Sequence, residues 1–118
     1  MRLLVNVANS FRCAARGVWL AAQARNLRIM LGVFLGVIVL ATVYDVSATR
    51  LAVLLLCGSV VLATEVLNSS IEALADYVQA EYEEDIRTVK DLAAGAVLLA
   101  AGLAGVVGVI VFWPYVID

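Results

Sequence analysis

Within the run from Leu62 to Asp76, five polar residues interrupt an apolar stretch: Glu65, Asn68, Ser69, Glu72 and Asp76. At about 100° per residue, their spacing brings all five back to one stripe of a helix. A carboxylate inside a hydrocarbon-length segment costs roughly 2.5 kcal/mol or more, so by default it marks a functional site. Two readings are open for Glu65, Glu72 and Asn68. Glu65 is either a structural carboxylate bonded to a neighbouring helix or a general base in a low-dielectric site. Glu72 is either a solvated acid or a ligand for Mg²⁺, which prefers hard oxygen donors. Asn68 either bonds a neighbouring helix or holds a ligand, and Asp76 reads as a solvated residue on the helix face.

The elements that must position this stripe are greasy. Of the 118 residues, 64% are hydrophobic, and the mean hydropathy of +1.02 excludes an ordinary soluble domain. A net charge of −2 gives no basis for a nucleic-acid partner. His is absent, and Cys13 and Cys57 stand in unlike contexts, which argues against a disulfide or zinc site. Arg2, Arg12 and Arg16 interrupt the first apolar residues, so residues 1–24 do not read as a secretory signal. They read as an amphipathic surface helix, with Arg12 and Arg16 towards headgroups and Leu4, Val7, Phe11, Val18 and Trp19 towards the acyl layer.

Three apolar runs follow, giving spans at about 27–44, 51–67 and 92–117 in one membrane-embedded domain over 1–118. Residues 68–91 form a helix extension and a charged loop. The expected fold is therefore an all-α membrane protein, with a surface helix and three transmembrane helices. Seven of the eight basic residues (Arg2, Arg12, Arg16, Arg25, Arg28, Arg87 and Lys90) fall on one side and only Arg50 on the other. This asymmetry puts the N-terminus and the 81–91 segment in the cytoplasm. Glu65 then lies about 21 Å along the helix from Leu51, inside the cytoplasmic half of the bilayer, with Glu72 about 10 Å further on, near the interface. An oily alcohol and a soluble reagent can both reach that depth. Gly32 and Gly36, and the series Ala96, Ala100, Ala104 and Gly108, have the spacing of close helix contacts. Three helices enclose a polar stripe poorly, so self-association is expected.

Lys90-Asp91 stands at the cytoplasmic mouth of the third span. It is either a membrane-end anchor with a helix-start acid, or a lysine for nucleotide phosphates with an aspartate supporting metal or lysine. Glu81-Tyr82-Glu83 reads as loop from composition. Neither a Gly-x-x-x-x-Gly-Lys phosphate loop nor a kinase glycine-rich loop is present, so any phosphoryl transfer uses another architecture.

The stretch Glu65-Val66-Leu67-Asn68-Ser69-Ser70-Ile71-Glu72, then Asp76, Glu81-Tyr82 and Val89-Lys90-Asp91-Leu92-Ala93-Ala94-Gly95-Ala96-Val97-Leu98, resembles the bacterial diacylglycerol kinase and undecaprenol kinase family. The resemblance runs from about Ser10 to the end of the third span; Val66 and Val89 are mild departures at apolar positions. It implies a homotrimer in the bacterial inner membrane, with sites at the cytoplasmic interface built from neighbouring subunits. ATP would be the phosphate donor, Mg²⁺ the cofactor and a membrane lipid the acceptor: diacylglycerol first, undecaprenol second.

By the same resemblance Glu65 is the base on the lipid hydroxyl, supported by Asn68, and Glu72 holds the metal on the ATP phosphates. Lys90 contacts those phosphates with Asp91 beside it, and Glu81, Tyr82 and Glu83 occupy the adenosine segment, Glu83 replacing a frequent His. Arg12 is a further nucleotide contact, and Arg16, Ser69 and Ala94 belong to the lipid side. Two departures bear on function. Ala24 stands where the family has a second metal-binding Glu, and Met30 where relatives carry a polar residue. Ala24 motivates the rival reading of a non-catalytic membrane scaffold derived from such a kinase. A small ion or solute carrier using the Glu65–Glu72 stripe is a third reading, and it leaves Lys90-Asp91 unexplained.

Overall fold

The computed structural model describes residues 1–78 and 83–117, and among these every regular element is an α-helix. The helices are α1 (Arg2–Ala21), α2 (Arg25–Val43), α3 (Ala48–Val78) and α4 (Glu83–Val116). The last three are long and apolar enough to cross a membrane. Of the functional expectations, Glu81 and Tyr82 lie outside the described residues.

Local chemistry sets the breaks. Ala24 takes an extended conformation (φ −74°, ψ 131°) and turns the chain from α1 into α2. Arg28 braces this corner, its Nη2 donating to the Gln23 carbonyl at 2.9 Å. At the far end of α2, Asp45 adopts a left-handed φ of 52°. The Val46 N–H then reaches the Ala41 carbonyl and the Asp45 N–H the Thr42 carbonyl, both at 3.1 Å. This is a Schellman cap, with aspartate in the position usually given to glycine. Ser47 opens α3, its Oγ accepting from the Arg50 N–H at 3.3 Å. Glu83, Glu84 and Asp85 fill the first turn of α4, where negative charge suits the helix dipole. That acidic turn extends α4 into the charged segment, ahead of the apolar run that begins at Leu92.

α3 packs chiefly on α4, less on α2 and only lightly on α1. A small apolar cluster of Ala41, Leu54 and Val111 joins α2, α3 and α4 at the Arg50 end, and Val46 closes over it from the cap. In the same region Arg50 Nη1 donates to the Val111 carbonyl at 2.9 Å and its guanidinium lies 5.7 Å from the Tyr115 ring centroid. Gly58 marks the tightest approach of α2 to α3, because a methyl there would run into the Phe34 ring. By contrast, a Cβ added at Gly32 or Gly36 would meet no atom within 4 Å, so those glycines face open space.

Three hydroxyls in the spanning helices return to their own backbone. Thr42, Ser59 and Thr64 donate to the carbonyls four residues back at 2.9, 2.7 and 2.6 Å. No polar group is thereby left to hydrocarbon at these positions. The molecule measures 57 × 47 × 21 Å, and most of its large apolar side chains are exposed. Such a surface is stable only in lipid or against other apolar protein. α1 has no buried residue at all; Phe11, Val18 and Trp19 stand outward from it.

Candidate active site

The packing face of α3 carries polar residues in its middle. Its buried positions are Leu54, Glu65, Asn68 and Ala75, which recur on one stripe at helical spacing. Glu65 is 4% exposed and Asn68 8%, the only buried polar residues among those described. Asn68 Oδ1 has no hydrogen-bond partner. An unsatisfied buried acceptor costs about 1–3 kcal/mol, and this oxygen is free to accept a bond from a donor brought beside it. Glu72 continues the stripe two turns beyond Glu65 and is exposed, so the stripe runs from a sheltered carboxylate to an accessible one. Ser69, half-buried, flanks it.

α4 brings the lysine to the same end. Lys90 Nζ pairs with Asp76 Oδ1 at 2.5 Å, and Asp76 lies one turn past Glu72 on α3. The residue read from sequence as merely solvated is thus the lysine's partner. Asp91, one residue on, is about 100° round the helix. It lines a shallow hollow with Thr88, Leu92, Gly95 and Ala96, away from the seam with α3. Ala94 and Glu83 are exposed on α4, and Arg12 and Arg16 are exposed on α1. The structure therefore gathers Glu65, Asn68, Glu72 and Lys90 along the α3–α4 seam and leaves Asp91, Arg12 and Arg16 on other surfaces.

Beside the buried carboxylate lies an apolar hollow of about 590 Å³ between α2, α3 and α4. Val61 and Leu62, one turn before Glu65, stand in its wall with Met30, Phe34, Leu54 and Phe112. Sequence reasoning did not anticipate this hollow; of the small residues Ala101, Ala104, Gly105 and Gly108 that line it, only Ala104 and Gly108 stood out, as packing spacing.

No group of three metal-binding side chains occurs among the described residues. Glu72 is a single accessible carboxylate at the end of the stripe. Such a donor suits Mg²⁺ arriving with a polyphosphate, since this ion is usually held by one or two carboxylates plus phosphate oxygens. It does not suit a metal held by the protein alone.

The model of the family described as prokaryotic diacylglycerol kinase matches residues 12–112. A diacylglycerol kinase from Synechocystis sp. is 42% identical over 105 residues, covering 87% of this chain and 60% of the relative. This chain thus spans about three fifths of that relative's length. A diacylglycerol kinase from Escherichia coli is 31% identical over 103 residues, covering 85% and 80% of the two chains. An undecaprenol kinase from Bacillus subtilis is 27% identical over 106 residues, covering 89% and 86%.

Proposed function

The chain belongs to the prokaryotic diacylglycerol kinase family, a family of membrane lipid kinases, and from that premise we propose that it transfers the γ-phosphate of ATP to the hydroxyl of diacylglycerol, giving phosphatidic acid. The observation that carries this reading is the buried Glu65–Asn68 pair, next to an apolar hollow on one side and an accessible carboxylate and lysine on the other. A lipid tail suits the hollow, and the nucleotide suits the exposed end.

In this mechanism Glu65 takes the proton of the lipid hydroxyl as its oxygen forms a bond to the γ-phosphorus. The bond from that phosphorus to the β–γ bridging oxygen breaks in line, and ADP leaves. Asn68, one turn from Glu65, supports the base, its amide N–H able to donate to the carboxylate and orient it. Lys90 neutralises charge that develops on the phosphoryl oxygens. Mg²⁺, held by Glu72 and the phosphates, would supply further charge neutralisation. Glu81, Tyr82, Glu83, Arg12 and Asp91 are assigned to the nucleotide, and Arg16, Ser69 and Ala94 to the lipid.

The reading includes a homotrimer. The exposed apolar surfaces and the placement of Asp91 away from the α3–α4 seam support sites shared between subunits. It also includes an N-terminus on the cytoplasmic side of the inner membrane, supported by the basic residues at the Lys90 end. Undecaprenol is the second acceptor, favoured by the Bacillus subtilis relative. Incubation of the purified protein in detergent micelles with labelled ATP, Mg²⁺, Mn²⁺ or Zn²⁺, and each lipid in turn tests the proposal. Label in phosphatidic acid supports it. Label only in the polyprenyl phosphate moves the substrate, and no labelled lipid under any metal favours the scaffold.

A further inference from the structure

Among the described residues, Lys90 is the one basic side chain held in an ion pair, and its partner comes from another helix. The two side chains are 37% and 60% exposed, so a soluble ligand reaches both. Behind them the seam is closed by alanines: Ala75, beside Asp76, is 3% exposed, and Ala93, one turn from Lys90, is 8%. Small residues let the helix backbones approach, which fixes where the lysine stem leaves α4.

We propose that Asp76 is a positioning residue for the phosphate-binding lysine: its carboxylate holds the Lys90 ammonium beside Glu72, ready for the nucleotide. The inference rests on the kinase reading above. A lysine stem has four rotatable carbons and a point charge that finds no geometry by itself. An ammonium has three donors; one bonds Asp76 Oδ1, and two remain for phosphate oxygens. Asp91 cannot do this work on the same chain, because it points to the hollow on another face of α4.

The test is lipid-phosphorylation kinetics on the full chain in detergent, together with direct binding of a fluorescent ATP analogue and thermal melting. Asp76→Asn is expected to raise KM for Mg-ATP about tenfold, the size of one lost charge-assisted bond, with a smaller change in kcat. Asp76→Glu should recover most of that loss. In a Lys90→Met background, Asp76→Asn should add nothing. The exchanged pair Asp76→Lys with Lys90→Asp keeps an ion pair across the seam, so it should melt like the wild type while KM stays raised. An unchanged KM in Asp76→Asn overturns the proposal, as does tighter nucleotide binding, which would mean the carboxylate withholds the lysine. Full recovery of KM in the exchanged pair also overturns it, because a purely structural tie would be restored. Wild-type protein that phosphorylates no lipid sinks the kinase reading and this inference together; wild-type turnover with an indifferent Asp76→Asn removes only the inference.

Discussion

Replacing Glu65 with glutamine separates chemistry from architecture because the two effects have opposite signs. Glu65 is 4% exposed in a spanning helix, where an ionised carboxylate costs roughly 2.5 kcal/mol or more. Glutamine keeps the shape and removes the charge. It also brings an amide donor to the face on which Asn68 Oδ1 lacks a partner; three residues apart on a helix, the two can meet, adding about 1 kcal/mol. The variant is therefore expected to melt at or above the wild-type temperature. Turnover goes the other way. Loss of a general base removes about 10²–10⁴ in rate, or about 3–5 kcal/mol of barrier stabilisation. Both are read from one preparation: labelled-ATP turnover at saturating lipid, and thermal melting in the same detergent with oligomer size by chromatography. Turnover within about tenfold of wild type would refute the role of base. A variant that loses its oligomer or melts early would show that the carboxylate is structural.

The remaining expectations concern residues around this centre. Ala24→Glu should tighten the divalent-metal dependence of turnover or raise its rate; an unchanged metal titration would mean the site works without a carboxylate there. Gly58→Ala drives a methyl into the Phe34 ring and should destabilise the α2–α3 contact by about 1–3 kcal/mol, seen as a lower melting temperature. An unaltered melt would mean that the ring swings away freely. Phosphorylation of diacylglycerol should exceed that of undecaprenol at equal mole fraction in mixed micelles, and the reverse order would transfer the assignment to the polyprenyl lipid.

Much of this architecture is legible in the sequence because a bilayer imposes few rules. Uninterrupted apolar runs mark the three spanning helices, and the arginine spacing of residues 1–24 marks the surface helix. Glu65 and Asn68 could be singled out because polar side chains in such a run are costly. Other features depend on which helices meet, and spacing does not carry that. Gly32 and Gly36 have the pattern of a close contact yet face open space, while Gly58, in no such pattern, receives Phe34. The first turns of α4 read as a charged loop, since an acidic helix start and an acidic loop share a composition. The Asp76–Lys90 pair spans 14 residues of sequence and exists only because α3 and α4 fold back on each other. Arg50 could not be matched to a partner in advance because its acceptor is a main-chain carbonyl, a group every residue has.

Those last two contacts act together. A helix such as α4, with its many alanines and glycines, has a smooth flank, and dispersion alone gives little resistance to α3 sliding along it. Here the pair has a polar rung at each extremity, Arg50 to the Val111 carbonyl and Asp76 to Lys90. A slip of one turn, about 5.4 Å, would break both rungs at once. The alignment of the two longest helices is thus locked from its extremities, and the greasy length between them is free to be chosen for its fit to hydrocarbon.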